Sequence, residues 1–195
     1  DLQKSPNQQV EYEKKSTESD FSLSQDQLQT VQSTWQTFFK QKHMHPYVFK
    51  NFFNLTPEAL PLFSFSTVKD VINSNELKDH VAKVMDMLDR IVKSLGNMDE
   101  IHDLLLKLGV DHQIQFKVKY YYFTTFGAAL IKTMKDSTDF SREDKEAWEA
   151  AYGLIQKIIV QKMEIKESDY NTEFDGLTVT HEKTLDYDQI LTSMR

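Results

Sequence analysis

The sequence predicts an all-α protein. Its 195 residues include only 5 Gly and 4 Pro, which is too few for the many turns of a β protein. Apolar residues recur three and four positions apart through most of the chain, and this is the helical period. No segment alternates convincingly between apolar and polar residues as a half-buried strand does.

The first predicted helix begins after Ser24. Gln27 lies three residues further on, which is the spacing of a capping box. The apolar stripe of this first helix comprises Leu28, Val31, Trp35 and Phe38. Further along the chain, Pro46 suits the first turn of a second helix.

A short helical turn is predicted next, capped by Thr56, started by Pro57 and broken by Pro61. The most regular helical period in the chain then covers residues 76–95. We expect Asn97 to cap the helix that follows. The apolar stripe of that helix comprises Ile101, Leu105, Leu108 and His112.

Two further helices complete the predicted set. An aromatic helix is expected around residues 116–134, and Ser141 is expected to open the last helix, with acidic residues in its first turn. The inner face of this last helix comprises Trp148, Ala151, Tyr152, Ile155, Ile158 and Ile159. The sequence therefore predicts six substantial helices with short helical turns between some of them.

The composition excludes several classes of function. A chain without cysteine has no disulfide, zinc–thiolate site, Cys nucleophile or iron–sulfur cluster, and it fits a reducing, cytoplasmic setting. The formal net charge of −7 argues against a nucleic-acid partner. No apolar run approaches the ~18–20 residues of a membrane span, so we do not expect a membrane partner.

Charge divides the chain into three predicted regions. Residues 1–20 are polar, with five acids and three bases, and they predict a disordered arm. Residues 21–163 carry 17 acids and 17 bases and predict the folded domain. Residues 164–195 have eight acids and three bases and predict an acidic extension. A few apolar residues in this extension would allow it to fold back in part.

Two histidines lie on or beside apolar helix faces. His112 ends the stripe of its own helix, and His80 precedes Val84 by one turn. Each could be an ordinary histidine that bonds to a carbonyl or reaches solvent. Alternatively, both could face one pocket and bind a metal, because neutral imidazole is a good ligand for iron, copper and zinc. The pattern of residues alone leaves these two interpretations open.

Several segments together resemble the globin family, and in particular its neuroglobin-like, hexacoordinate members. The segment "ALPLFSF" (59–65) resembles the corner that carries the phenylalanine stacked on haem, and "LKDHVAKVM" (77–85) resembles the distal helix. "LLKLGVDHQ" (105–113) resembles the proximal helix, while "FTTFGAALI" (123–131) and "AWEAAYGLI" (147–155) are similar to the last two helices. The resemblance covers residues 22–163, with all segments in the correct order.

The resemblance implies a globin fold and a haem b cofactor. By position it makes His112 the proximal iron ligand and His80 the distal one. The Leu108 carbonyl is the expected partner of the His112 Nδ1–H. The other implied haem-binding residues are Phe63, Val84, Phe49, Lys83, Leu108 and Val118, with Lys83 near a propionate.

The implied function is that of an oxygen or redox sensor, or of an electron-transfer protein. Its partners would be O2 or another diatomic gas and an electron-transfer or signalling protein. His80 would either donate a hydrogen bond to the gas or ligate iron itself. The alternatives are a pentacoordinate O2 carrier or store and a haem enzyme that acts on NO or nitrite. No polar catalytic residue besides His80 stands out, so we do not expect a dedicated enzyme.

Overall fold

The structure, a computed structural model, describes residues 22–164 and two short strands that follow them. Six α-helices and one 3₁₀ helix build residues 22–164. In chain order they are α1 (Gln25–Phe39), α2 (His45–Leu55), the 3₁₀ helix (Pro57–Leu62), α3 (Asn75–Ser94), α4 (Asp99–Phe116), α5 (Tyr120–Ser137) and α6 (Arg142–Val160). The prediction of an all-α domain is confirmed. In this part of the chain no helix is long and apolar enough to cross a lipid bilayer.

The predicted arm at residues 1–20 lies outside the described residues, and so does most of the predicted extension at 164–195. Within the extension, β1 (Glu173–Phe174) pairs antiparallel with β2 (Leu177–Thr178). The sequence did not predict these strands, because two residues are too few to show an alternating pattern. The Asp–Gly pair between them is typical of a tight hairpin turn.

Local signals in the sequence set several helix starts. The Ser24 hydroxyl accepts from the Gln27 N–H at 3.1 Å, and Gln27 Oε1 accepts from the Ser24 N–H at 2.9 Å. The predicted capping box of α1 is therefore present. Ser141 forms a second capping box with Asp144 at the start of α6, and Pro46 lies in the first turn of α2 as predicted.

The prediction for the 3₁₀ helix was partly wrong. Thr56 precedes this helix, but its hydroxyl makes no capping bond. The buried hydroxyl instead donates to Thr125 Oγ1 of α5 at 2.7 Å, because a buried polar atom must find a partner wherever packing places one. Pro61 lies inside the 3₁₀ helix and does not break it, since a missing N–H costs such a short helix only one hydrogen bond.

The boundaries around α4 also differ from prediction. Asn97 does not cap α4, which begins two residues later, and its amide donates to Glu100 Oε1 at 2.7 Å. Lys117 has a left-handed backbone with φ 59° and ends α4, because its N–H bonds back to the carbonyls of His112 and Gln113. The aromatic helix therefore begins at Tyr120 and not at residue 116.

Pairs of helices form the core. The most extensive helix contacts are those of α2 with α5, of α1 with α6 and of α4 with α6. Trp35 of α1 and Trp148 of α6 are buried with ring centroids 5.9 Å apart. Trp35 Nε1–H donates to Asp89 Oδ1 at 3.0 Å and Trp148 Nε1–H to Thr34 Oγ1 at 2.7 Å. Both indoles are thus buried without leaving an unpaired donor.

Two glycines allow helices to approach one another closely. A Cβ added to Gly109 of α4 would lie 1.9 Å from the Ile159 carbonyl oxygen of α6, and one added to Gly127 of α5 would lie 2.2 Å from the Tyr152 ring. No side chain larger than hydrogen fits at either position without movement. Around Gly153 of α6, in contrast, an added Cβ meets nothing within 4 Å.

Gly109→Ala should lower the free energy of unfolding by ~1–3 kcal/mol, because the new methyl group must push α4 away from a backbone carbonyl. Gly153→Ala is the matched control, since it adds the same methyl group to a helix in open space. It should stabilise the protein by ~0.5–1 kcal/mol. Urea unfolding followed by far-ultraviolet circular dichroism measures both. Equal midpoints for the two variants would show that α4 and α6 are not packed at this distance.

The segment "HMHP" (43–46), with two histidines two residues apart beside a proline-started helix, predicts an exposed loop, but for His45 this prediction is wrong. It is the first residue of α2 and only 6% exposed. Its ring packs on Phe38 and Phe39 with centroids 5.3 and 5.7 Å away. Nε2 is buried without a hydrogen-bond partner in the described part of the chain. His43, two residues earlier, is exposed as expected.

Burial, as the largest cause, lowers the pKa of His45 below 6.5, and nearby positive charge on Lys42 and His43 lowers it further. The carbonyls of Phe38 and Phe39 act in the opposite direction. In the pH window between this lowered pKa and 6.5, the unfolded chain binds a proton that the folded chain does not. Stability contributed by neutral His45 is therefore lost as the pH falls through that window.

His45→Gln should flatten the pH dependence of the free energy of unfolding just below pH 6.5, by up to about one proton. The measurement is a series of urea titrations at stepped pH, compared with the unmodified protein. His43→Gln is the companion variant: it removes one of the nearby charges that lower the pKa of His45 but keeps the buried ring, so the slope should persist. An unchanged slope in His45→Gln would show that His45 takes up its proton equally in both states.

Candidate functional site

His80 of α3 points its ring among aromatic side chains. Its centroid lies 5.2 Å from that of Phe49 in α2 and 5.2 Å from that of Phe63, both edge to face at 83°. Phe65 is a third neighbour at 6.5 Å. Neither ring nitrogen of His80 has a hydrogen-bond partner among the described residues. The imidazole is therefore held by ring packing and keeps its nitrogens available for a ligand or metal.

The aromatic wall around His80 comes from two neighbouring elements. Phe49 is buried on α2, and Phe63 follows directly after the 3₁₀ helix. The two rings meet edge to face at 6.2 Å, and Phe63 packs on Phe65 at 5.0 Å. The 3₁₀ helix is short, and the backbone at Phe63 directly after it is extended. The Phe63 ring therefore reaches α3, where it contacts His80.

His112 lies on α4, four residues after Leu108. Its Nδ1 is 2.8 Å from the Leu108 carbonyl oxygen, and since a carbonyl only accepts, Nδ1 carries the hydrogen. The hydrogen bond expected from the sequence is thus present. It leaves the lone pair on Nε2, which is the atom that can bind a metal. Phe116 and Phe123 flank the ring at 5.8 and 5.7 Å.

Both imidazoles are neutral at pH 7. Burial is the largest cause of the lowered pKa of His80, and positive charge on His112 and on Lys83 lowers it further. Burial also lowers the pKa of His112, while the Leu108 carbonyl and the Asp111 carboxylate oppose this. Neutral imidazoles with available lone pairs are suited to metal ligation.

The other predicted site residues fall into two groups. Val84, Leu108 and Val118 are half-buried and pack against the edge of the core. Val118 is held next to His112 because its N–H donates to the His112 carbonyl at 3.1 Å. Lys83 is exposed on α3, and its charge affects His80. The apolar members form aliphatic walls, whereas Lys83 lies towards solvent.

Sequence reasoning missed several aromatic neighbours of the site, among them Phe65, Phe123 and Phe126. Phe65 packs near His80, Phe123 packs against His112, and Phe126 contacts Phe49 at 5.5 Å. Phe123 and Phe126 lie three residues apart on α5, which puts them on one helix face. That spacing was visible in the sequence, but only the packing of α2 against α5 shows that this face meets the site.

The donor set suits a flat macrocycle better than a bare ion. Within the described residues no group of three or more His, Cys, Asp or Glu side chains is arranged to hold a metal ion. The two imidazoles instead lie among aromatic and aliphatic side chains. Axial histidine ligands with apolar walls are the surroundings that proteins give to haem iron.

Comparison with known proteins decides the family. The family model of the globins matches residues 47–159, which is more than half of the chain. The chain belongs to the globin family. The neuroglobin of Dissostichus mawsoni is 30% identical over 140 residues, which cover 68% of this chain and 87% of that protein. Neuroglobin-1 of Oncorhynchus mykiss is 29% identical and the neuroglobin of Danio rerio 30% identical, with the same coverage.

As a neuroglobin-like globin, the chain has the globin fold that the sequence predicted. Family membership implies a haem cofactor and the binding of diatomic gases such as O2. The residues present fit that cofactor, because His112 has its Nδ1 bonded to Leu108 and its Nε2 lone pair available. The aromatic ring of Phe63 beside His80 supplies a flat apolar surface in the same region.

Proposed function

We propose that this globin is an oxygen or redox sensor, or an electron-transfer protein, that binds haem b between His112 and His80. The observation that carries the proposal is the pair of half-buried imidazoles on α4 and α3, one with its Nδ1 bonded to the Leu108 carbonyl and the other packed between Phe49 and Phe63. The haem supplies an iron that accepts or gives one electron and binds diatomic gases. We assign the haem-binding domain to residues 21–163 and treat residues 1–20 and 164–195 as its extensions.

In this proposal His112 is the proximal ligand. The hydrogen bond from its Nδ1 to the Leu108 carbonyl fixes both the tautomer and the ring orientation, and it increases the basicity of Nε2. Phe116 and Phe123 restrict rotation of the ring from either side. Leu108 and Val118 are assigned to the proximal wall, where they keep water away from Nε2.

His80 is assigned to the distal side. Its ring packs against Phe49 and Phe63, and it has no hydrogen-bond partner in the described part of the protein. A half-buried imidazole without a hydrogen-bond partner is costly, and coordination of a metal by one nitrogen would remove that cost when no gas is bound. We therefore assign His80 direct ligation rather than the role of hydrogen-bond donor to the gas. A gas would then compete with His80, and its apparent affinity would be its intrinsic affinity multiplied by the fraction of protein in which His80 has moved away.

The remaining assignments follow from burial and charge. Phe63, Phe49 and Val84 are assigned to the distal wall, where their apolar side chains exclude water. Lys83 is exposed beside His80 on the same helix. An exposed cation at the rim of a haem site suits a propionate, although such a surface pair contributes only ~0–1 kcal/mol.

His112→Ala should abolish or sharply weaken haem binding, because the chain loses the imidazole that its own helix holds in place. Haem titration followed by the Soret band measures the affinity. His102→Ala is the matched control, since it removes a histidine that lies beside a solvent-exposed carboxylate on the same helix. Free imidazole added to His112→Ala should restore part of the spectrum. A normal Soret band in His112→Ala without imidazole would defeat the proximal assignment.

His80→Leu should convert the deoxygenated ferrous protein from a six-coordinate, low-spin spectrum to a five-coordinate one. If His80 occupies the site about 90% of the time, the variant should also bind gas about tenfold more tightly. His43→Leu removes an exposed histidine and should change neither property. A five-coordinate ferrous spectrum in the unmodified protein would rule out ligation by His80 and would favour an O2 carrier.

A further inference from the structure

A continuous series of packed rings leads away from His80 between α2 and α5. His80 packs on Phe49, whose ring centroid lies 6.2 Å from that of Phe52, three residues further along α2. Phe52 meets Tyr122 of α5 at 6.3 Å, and Tyr122 meets Tyr121 at 4.8 Å. Each of these distances lies in the range of interacting aromatic pairs. We call the rings from His80 to Tyr121 the aromatic chain.

The first part of the aromatic chain is doubled. Phe126 of α5 lies 5.5 Å from Phe49 and 5.9 Å from Phe52, measured between ring centroids. The direct route and the route through Phe126 therefore meet at Phe52, which then leads to Tyr122. Every ring of the chain beyond His80 is at most 5% exposed, so bulk water does not separate one ring from the next.

The far end of the aromatic chain is a tyrosine whose hydroxyl group faces a carboxylate. Tyr121 Oη–H donates to Glu58 Oε1 at 3.3 Å. Glu58 belongs to the 3₁₀ helix and is exposed, so its carboxylate connects the buried phenol with solvent. A phenylalanine ring has no acidic hydrogen, whereas a tyrosine can give up an electron and its hydroxyl proton together. The end of the chain is therefore suited to one-electron oxidation.

The surroundings of Tyr121 couple the loss of its electron to the loss of its proton. Burial, as the largest cause, raises the pKa of Tyr121 above its usual value, and Tyr122 and Glu58 raise it further, so the phenol keeps its proton at neutral pH. Lys119 Nζ lies 5.5 Å from the centroid of the Tyr121 ring. This cation opposes a positive charge on the ring. The electron therefore leaves most easily when the Glu58 carboxylate takes the proton.

We propose that Tyr121 is an electron donor to peroxide-oxidised haem, with the aromatic chain as the path of the electron and Glu58 as the acceptor of the proton. The inference rests on the proposed function, because it takes His80 as the ligand at which the chain meets the haem. The chain moves oxidising equivalents from the haem to a tyrosine whose hydroxyl group is next to solvent.

Hydrogen peroxide is the oxidant in this reaction. One molecule takes up two electrons and two protons and becomes two molecules of water. One electron comes from the haem, and the other comes from Tyr121 through Tyr122 and the phenylalanines. As this electron leaves, the O–H bond of Tyr121 breaks and an O–H bond forms on Glu58, which releases the proton to water. Tyr121 is left as a neutral tyrosyl radical.

Electron paramagnetic resonance of the full-length haem protein, frozen shortly after mixing with hydrogen peroxide, tests the electron donor. The unmodified protein should give a tyrosyl radical signal. Tyr121→Phe keeps the ring but removes the hydroxyl group, and it should lose this signal. Tyr47→Phe is the matched control, because it removes the hydroxyl group of an exposed tyrosine outside the aromatic chain, and it should keep the signal.

Phe52→Leu tests the path, because it removes the ring at which the two routes meet. The radical should appear more slowly than in the unmodified protein. Phe38→Leu is the matched control, since Phe38 is buried in α1 outside the aromatic chain and its replacement causes a comparable loss of packing. It should leave the rate of radical formation unchanged.

Glu58→Gln tests the transfer of the proton. The amide oxygen of glutamine still accepts a hydrogen bond but is not a base at neutral pH, so the radical should form more slowly. Glu58→Asp restores a carboxylate and should recover part of the rate. A hydrogen bond with a purely structural role predicts equal rates in Glu58→Gln and the unmodified protein.

Four results would overturn the proposal. A haem-bound protein that consumes peroxide without forming a tyrosyl radical shows that no tyrosine donates. An undiminished signal in Tyr121→Phe shows that another tyrosine does. Equal rates in Phe52→Leu and Phe38→Leu exclude the aromatic chain as the path, and an unchanged rate in Glu58→Gln excludes Glu58 as the proton acceptor.

The Soret band of the same samples separates these results from a failure of the proposed function. A protein that takes up no haem overturns both the proposed function and the role of Tyr121. A protein with a normal Soret band and one of the four results above overturns the role of Tyr121 or its path alone, and the haem assignment stands.

Discussion

The close contact between Gly109 and Ile159 is the constraint on which the site depends. With no side chain at Gly109, α4 lies against the main chain of α6, closer than any other residue would permit. His112 follows on the same helix three residues later, and the carbonyl that orients it belongs to Leu108, directly before the glycine. The depth at which α4 packs therefore also sets the position and orientation of the His112 ring.

Burial among packed helices explains the electrostatics of the two histidines. Helices that pack this closely remove water from the side chains between them, and an imidazole without water loses its proton more readily. Burial is the largest cause of the lowered pKa at both His80 and His112. Burial thus favours the neutral imidazole at both positions, which is the form of histidine that can bind a metal.

The sequence predicted the helices well where their starts carry a chemical signal. The capping box at Ser24, the helix start at Ser141 and the proline at 46 were read correctly because each signal acts within one helical turn. Thr56 and Asn97 are also residue types that often cap helices, but neither caps one here. Thr56 bonds to Thr125 of α5, 69 positions away, which cannot be seen without the tertiary structure, whereas Asn97 bonds to the carboxylate of Glu100 three residues further on.

The site shows the same division between local and long-range information. The bond from His112 to Leu108 spans one turn and was predicted, and the aliphatic character of Val84 and Leu108 is a property of each residue alone. Phe65, Phe123 and Phe126 were missed because their contacts join segments that are far apart in the chain. His45 was misread for a related reason, since its burial depends on Phe38 and Phe39 at the end of the preceding helix.

The two sides of the site differ in how firmly they are held. His112 has a hydrogen bond within its own helix, and that helix is fixed against α6 at Gly109. Among the described residues, His80 has ring contacts with Phe49, Phe63 and Phe65 and no hydrogen bond; such ring contacts are weakly directional and allow small movements. Under the proposed assignment, one ligand is held rigidly and the other can leave and return. A globin in which an incoming gas replaces an internal ligand requires this asymmetry, because only the distal side has to move.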